Sequence, residues 1–107
     1  MIPSQMLKGI LESCILKIIS SKETYGYEIS QQLKKYGFSG ISEGTIYPLL
    51  LRLEKNDLIK AKYRESALGP KRKYFSITQA GEKELETFVN NWQELNHAVN
   101  QLFHGGE

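Results

Sequence analysis

The side chains in this sequence best suited to specific chemistry are three consecutive cations, Lys71, Arg72 and Lys73. Ammonium and guanidinium groups bind phosphate oxygens through charge-assisted hydrogen bonds, so the cluster favours contact with a polyanion. Gly69-Pro70 just before it is a turn signal, and residues 58–64 and 74–78 alternate as strands do. The sequence therefore predicts a hairpin whose positive charge gathers at one end of its loop. A solvated charge run is the alternative.

Charge of opposite sign gathers in the two parts of the chain. Residues 1–81 hold 13 Lys and Arg and seven Asp and Glu, a balance of +6, whereas residues 82–107 hold one Lys and five Glu, a balance of −4. A basic body suits the approach to a polyanion, and an acidic tail suits another task. The lone Cys14 predicts a reducing environment, and the apolar stretch 6–19 is too short and too charged to span a membrane.

Four helices are predicted from apolar residues at helical spacing. They are expected at residues 4–20, 24–36, 42–56 and 79–103. Polar side chains that suit their N-caps are Ser4, Thr24, Ser42 and Thr78, and glycines that suit their ends are Gly37, Gly105 and Gly106.

The order helix, helix, helix, strand, turn, strand, helix is that of a winged helix-turn-helix. The predicted fold class is therefore mainly α with a two-stranded β wing, an α+β fold with one long C-terminal helix. We expect residues 1–78 to form a DNA-binding domain and residues 79–107 a C-terminal dimerisation helix, together one compact unit.

The third helix would be the one that enters the major groove of DNA. The residues expected at the bases and phosphates are Ser42, Glu43, Gly44, Thr45 and Tyr47. Glycine permits a close approach of the backbone, hydroxyls bind bases or phosphates, and a glutamate accepts a hydrogen bond from a cytosine amino group. The helix is poor in Lys and Arg, so an ordinary core helix is the alternative when the basic hairpin is disregarded.

The last helix carries a heptad pattern of apolar residues. The predicted dimer interface consists of Leu85, Phe88, Val89, Trp92, Leu95, Val99 and Leu102. One face of the helix must pack on its own domain, but a chain of 107 residues has little core left to cover so long a stripe. The pattern therefore favours self-association.

Catalysis is not expected from this sequence. His97 and His104 have no nucleophile or carboxylate arranged with them, and Cys14 on an apolar helical face suits a buried, inert thiol. Two His and one Cys offer no metal-ligand spacing, so neither a metal nor a cofactor is predicted.

Several motifs in order resemble the PadR family of bacterial transcriptional regulators. They are Tyr25-Gly26-Tyr27-Glu28-Ile29, Glu43-Gly44-Thr45-Ile46-Tyr47-Pro48, Leu53-Glu54, residues 69–75, Thr78 and Gly81. The resemblance implies a homodimeric repressor, in a bacterial cytoplasm at the nucleoid, that binds a palindromic double-stranded operator. A single C-terminal helix is similar to the short subfamily that includes multidrug-binding regulators. The family's usual glycine after Leu53-Glu54 is replaced by Asn56-Asp57, where Asn56 is expected to take the left-handed conformation.

The same resemblance implies an effector site between two subunits. In the multidrug-binding relatives a tryptophan at the place of Trp92 stacks on flat aromatic ligands. The residues expected around such a ligand here are Trp92, Asn96, Met6, Gly9 and Ser13. Asn96 replaces an acidic residue, so neutral, planar aromatic or phenolic compounds are expected as readily as cations. Two alternatives stay open: Trp92 serves only dimer packing, or the winged helix is a protein–protein interaction module without an effector. Activation in place of repression is open as well.

Overall fold

The computed structural model describes residues 2–105 and contains five α-helices and three strands within that range. The elements in chain order are α1 (Ser4–Leu7), α2 (Leu11–Ser21), β1 (Thr24–Tyr25), α3 (Gly26–Lys35), α4 (Glu43–Lys55), β2 (Ile59–Ser66), β3 (Gly69–Ile77), α5 (Gln79–Asn100) and a π-helical turn (Gln101–Gly105). The predicted α+β winged fold with a long C-terminal helix is confirmed.

The sheet has three antiparallel strands in the order β1-β3-β2. Phe75 on the central strand lies opposite Thr24 of β1 and Ala61 of β2. Sequence analysis predicted only the two wing strands and assigned Thr24 to a helix N-cap, which is wrong. Thr24 is buried in the short strand, Tyr25 is the N-cap residue of α3, and the Thr24 hydroxyl donates to the Glu28 carboxylate.

A single hydrophobic core lies between α2, α3, α4 and the inner face of the sheet. Its fully buried members include Ile15, Ile29, Ile46 and Phe75, one from each of these elements. Aliphatic side chains at helical spacing are drawn to one face because burial removes apolar surface from water. Over residues 2–105, none of the helices has the length and apolarity needed to cross a membrane.

The first predicted helix is divided into two. Gly9 has φ +90°, in the left-handed region, and separates α1 from α2. The residue before α1 is Pro3, so the expected cap Ser4 is already helical. Leu7 and Leu11 on either side of the break are both buried. The break therefore divides the predicted helix, while Leu7 and Leu11 both stay packed on the core.

A tight joint connects the wing to α5. The Thr78 hydroxyl accepts from the Gly81 amide at 3.0 Å, which confirms the predicted cap, and donates to the Asp57 carbonyl at 2.7 Å. The Thr78 amide donates to the Leu58 carbonyl at 3.1 Å. Gly81 is buried, and a Cβ there would overlap that same carbonyl, so only glycine fits. These contacts fix the direction in which α5 leaves the domain.

Two further chain-end predictions have different outcomes. Gly37 follows α3 with φ +101°, as expected for a helix stop. After α4, however, the left-handed residue is Asp57, with φ 60°, whereas Asn56 has φ −89°. Gly105 lies in the π-helical turn, and Gly106 lies outside the described residues.

Candidate nucleic-acid interface

The N-terminal turn of α4 presents small polar groups at the surface. Ser42 precedes the helix in an extended conformation, and its carbonyl accepts from the Thr45 amide at 3.0 Å. The Ser42 and Thr45 hydroxyls lie 3.4 Å apart, and both residues are exposed, as is Gly44 between them. Two hydroxyls and a glycine backbone therefore face outward at one helix terminus, which is the arrangement expected of a base-reading helix.

Tyr47 packs against the start of α3 and is also exposed to solvent. A Cβ on Gly26 would lie 2.8 Å from the Tyr47 hydroxyl oxygen, so the ring packs directly on the first residue of α3. The side chain nevertheless remains 46% exposed. Tyr47 therefore packs α4 against the start of α3, and a larger residue at Gly26 would shift the end of this ring. Glu43 in the same turn is partly buried.

The basic triplet lies on a strand and not in a loop. Strand β3 begins at Gly69, and the two-residue loop of the hairpin is Ala67-Leu68. Because successive side chains of a strand point to opposite faces, Arg72 and Lys73 are separated by the sheet. The expectation that the charge gathers at one end of the loop is therefore corrected, and the three cations have three different environments.

Lys73 lies on the inner face of the hairpin, next to α4. Its ammonium is 3.1 Å from a carboxylate oxygen of Glu54 and 5.4 Å from the centre of the Phe75 ring. This contact ties the wing to the C-terminal half of α4. The side chain of Lys71, in contrast, is exposed, and its ammonium lies 3.9 Å from a carboxylate oxygen of the exposed Glu65.

Arg72 lies on the outer face, in a stack of two arginines and two tyrosines. Its guanidinium is 4.5 Å from the centre of the Tyr25 ring, which is 5.2 Å from the Tyr74 ring. Arg64 covers Tyr74 at 4.9 Å and forms an ion pair with Glu23. Arg64 and Arg72 lie directly opposite each other across the strands, and the aromatic faces offset the repulsion between them.

Sequence reasoning missed the cations of β2. Lys60, Lys62 and Arg64 alternate along the strand and are all exposed. The residues opposite them on β3 are Ser76, Tyr74 and Arg72, which places these side chains on one face. The alternation with period two was present in the sequence and could have identified this face. The hairpin from residue 59 to 77 holds six Lys and Arg and one acidic residue, Glu65.

The apolar stripe on α5 emerges from the domain along its length. Leu85 packs against the core and Phe88 is partly buried. The residues further along the stripe are exposed: Val89, Trp92, Leu95, Val99, Leu102 and Phe103. Trp92 is 42% exposed, and its ring stacks on that of Phe88 with centres 6.4 Å apart.

A groove of about 1050 Å³ lies between α2, α3 and α5. Apolar side chains of the three helices line it, namely Ile18, Leu33, Leu85, Phe88 and Val89, together with Phe38 from the connection after α3. Lys17 and Lys22 stand on the α2 side, and Glu82 and Glu86 on the α5 side. The groove is continuous with the start of the exposed stripe, because Val89 belongs to both.

The predicted effector residues are not gathered at one place in a single chain. Ser13 lines the groove, whereas Met6 and Gly9 are exposed and Trp92 lies further along α5, and none of these three contributes to the groove. Asn96 accepts from the Asn100 side chain at 3.2 Å on a polar surface near the end of α5.

Two side chains on α2 have clear electrostatic settings. Cys14 is partly buried beside the groove, and burial raises the pKa of its thiol, which favours the unreactive protonated form. Glu12 accepts from Arg52 of α4, at 3.2 Å from Nε and 2.8 Å from Nη2. This hydrogen bond and the charge of Glu12 raise the pKa of Arg52. Arg52 therefore links two helices.

Comparison with known proteins gives a consistent result. The model of the transcriptional regulator PadR-like family matches residues 15–87. A PadR-like transcriptional regulator from Bacillus cereus, known from a crystal structure, is 54% identical with a TM-score of 0.85, over 94% of this chain and 98% of that chain. Transcriptional regulator Rv3488 of Mycobacterium tuberculosis is 34% identical over 85 residues, which make up 79% of this chain and 78% of that protein.

A more distant likeness concerns the fold alone. Bacillus subtilis PadR, whose crystal structure contains operator DNA, is 24% identical with a TM-score of 0.69. The alignment covers 76% of this chain and 47% of that chain.

Proposed function

Because the chain belongs to the PadR-like family of transcriptional regulators, we propose that it binds double-stranded operator DNA as a homodimer and represses transcription. The observation that supports this best is the combination of an exposed N-terminal turn of α4 with a hairpin that holds six cations and one acidic residue. Bacillus subtilis PadR, which shares the fold, binds operator DNA.

In this proposal α4 chooses the sequence. Ser42, Gly44 and Thr45 meet base edges in the major groove, and the Tyr47 hydroxyl lies near enough to the start of α3 to meet a phosphate there. Glu43 is partly buried, whereas the other predicted contacts on this turn, Ser42, Gly44, Thr45 and Tyr47, are exposed.

The wing supplies phosphate contacts of unequal strength. The Lys71 ammonium lies 3.9 Å from Glu65 and both side chains are exposed, so Lys71 can leave this weak ion pair and turn toward a phosphate. Arg72 also carries an exposed guanidinium on the outer face. Lys73 is held by Glu54, so its role is to fix the wing against α4 more than to bind DNA.

A DNA-binding experiment tests the proposal. The full chain is used to select an operator from random duplexes, and affinity is measured by fluorescence anisotropy over a range of salt concentrations. Replacing Lys71 and Arg72 by Ala should weaken binding to all duplexes and reduce the slope of log K against log salt by about 2. Thr45→Ala should change the preferred operator while leaving that slope intact.

The outcome also separates the two candidate classes of function. If the wild-type chain enriches no duplex and shows no salt-dependent binding to DNA, the proposed function is wrong and the alternative, a protein–protein interaction module, is favoured. If it binds DNA but the Lys71 and Arg72 variant binds equally well, the wing has been assigned wrongly.

Dimerisation in this proposal uses α5 of both subunits. The exposed stripe from Val89 to Leu102 requires an apolar partner, and the groove beside α2 supplies an apolar surface of suitable size. Residues 1–78 would then act as the DNA-binding part and residues 79–107 as the dimerisation part. Two recognition helices would lie about 34–36 Å apart, one DNA turn, so that each reads half of a palindrome.

The proposed effector is a planar aromatic or phenolic compound bound between the subunits. Trp92 is half-exposed on the stripe and already stacks on Phe88, so its outer face is open to a flat ligand. Dimerisation would have to bring Met6, Gly9 and Ser13 of one subunit toward Trp92 and Asn96 of the other.

Trp92 is the only tryptophan of the chain, so its fluorescence reports on this site directly. Titration with planar aromatic dyes should quench the emission and lower operator affinity, because the ligand changes the distance between the recognition helices. Trp92→Leu should keep the dimer, and its operator affinity should no longer fall when the dye is added. Undiminished operator affinity at saturating dye would contradict the effector role.

A further inference from the structure

The tip of the wing carries an apolar side chain that packs against nothing in residues 2–105. Ser66 pairs with Gly69, which leaves Ala67 and Leu68 as the two residues of the loop. Leu68 is 99% exposed, the highest exposure of any large hydrophobic residue among residues 2–105. Its side chain therefore contributes nothing to the packing of the domain.

The turn itself does not require these residues. Two-residue hairpin loops usually contain Asn-Gly or Gly with positive φ, yet neither Ala67 nor Leu68 has a positive φ. A shift of register places Pro70 and Lys71 opposite Glu65 and takes up the mismatch between turn and strands. A polar residue would fit position 68 equally well, so neither backbone conformation nor packing explains a leucine.

The surroundings of Leu68 point to the kind of partner that explains it. Lys71 lies three residues away, and Arg64 and Arg72 form the last cross-strand pair before the bulge. An apolar residue at the loop with cations on the adjoining strands suits DNA, because the cations can bind phosphates while the apolar side chain enters a groove. Minor-groove proteins use leucine and similar side chains as wedges that partly separate base steps and bend the duplex.

We propose that Leu68 enters the minor groove beside each half-site and acts as a wedge that bends the operator. This inference rests on the proposed function, since it requires the wing to lie on DNA. With the recognition helix in the major groove, the hairpin that directly follows α4 in the chain would lie at the neighbouring minor groove. Leu68 would thereby add a preference for flexible base steps outside the part read by α4.

The test compares three substitutions in the full-length chain on the selected operator. Affinity is measured by anisotropy, and bending by energy transfer between dyes at the two ends of the duplex. Leu68→Ser should weaken operator binding about tenfold and reduce the bend, because the wedge is lost. Leu68→Met keeps an apolar side chain of similar size and should bind and bend as the wild type does.

Leu68→Lys distinguishes a wedge from a simple backbone contact. It should strengthen binding to random duplexes while leaving the operator less bent than with the wild type. If Leu68→Ser binds and bends like the wild type, or if Leu68→Lys restores the full bend, the wedge is disproved. A wild-type chain that selects no operator would instead contradict the proposed function, so the two failures are distinguishable.

Discussion

Gly81 is the residue at which one added methyl group should disturb the fold most. Its Cβ would overlap the Leu58 carbonyl and lie 2.7 Å from Cγ1 of Ile77, and the carbonyl cannot move without breaking its bond to the Thr78 amide. Gly81→Ala should therefore lower the free energy of unfolding by about 3 kcal/mol, as overpacking does. Urea denaturation followed by circular dichroism measures this directly.

Gly44→Ala is the matched control, because it should act in the opposite direction on stability. A Cβ at Gly44 would meet only the Ser42 hydroxyl, at 3.5 Å, which is ordinary contact. Alanine should raise the free energy of unfolding by about 0.5–1 kcal/mol through its helix propensity. If α4 reads DNA closely, the same methyl group should weaken operator binding in the anisotropy assay. A Gly81→Ala variant as stable as Gly44→Ala would show that the joint is loose.

Sequence placed two of the four N-cap residues correctly, Ser42 and Thr78, whereas Ser4 is already helical and Thr24 lies in a strand. Thr78 and Gly37 were identified because a cap depends on a few neighbours along the chain. The choice between Asn56 and Asp57 was wrong because it depends on more distant contacts. Leu58 must turn back to donate to the Leu53 carbonyl, and Asp57 takes the left-handed conformation that permits this turn.

At the scale of elements, the contact between Lys73 and Glu54 is the one that joins the wing to α4. A double-mutant cycle with Lys73→Met and Glu54→Gln should give a coupling energy of about 0.5–1 kcal/mol, at the upper end for partly exposed pairs. The side chains are 27% and 35% exposed, which limits solvent screening. Chemical denaturation of the four proteins supplies the data.

Lys71→Met in place of Lys73→Met provides the control cycle. Lys71 has no contact with Glu54 and should show a coupling energy near zero. In DNA binding the order should reverse, with Lys71→Met reducing the salt slope more than Lys73→Met. Equal coupling of both lysines to Glu54 would argue that the wing is mobile and that the contact is not specific.

The elements that sequence analysis misjudged depend on partners far along the chain. Strand β1 has two residues and exists only because β3, some fifty residues later, offers it an edge. The break at Gly9 is hidden in a continuous apolar pattern, because Leu7 and Leu11 satisfy helical spacing whether or not the helix is interrupted. Helix α4 and the hairpin were predicted because their patterns are long and local.

At the scale of the whole molecule, the stripe on α5 should decide whether the chain is a monomer or a dimer. Replacing Leu95 and Val99 by Glu places two charges on the stripe, where burial would desolvate them. Analytical ultracentrifugation should then show a monomer. The free energy of unfolding of this monomer, measured by urea denaturation, should remain large enough to keep it folded. Operator affinity should fall steeply in the same variant, because only one half-site can be bound at a time.

The control carries the same two added charges elsewhere on α5. Thr87 and Gln93 are exposed and lie off the stripe, so replacing both by Glu should leave the sedimentation coefficient unchanged. A wild-type chain that sediments as a monomer at micromolar concentration would contradict dimerisation through this face.

The rigid joint at Thr78 and Gly81 limits how insertions in α5 could alter the half-site spacing that a dimer binds. Each residue inserted between Gly81 and Leu85 would rotate the stripe by about 100° and advance it by about 1.5 Å. Single insertions would turn the stripe away from its partner, whereas seven residues would nearly restore its orientation and lengthen the arm by about 10 Å. In a dimer joined through α5, only certain separations of the two half-sites would therefore be possible, and they would differ in steps of about 10 Å per subunit.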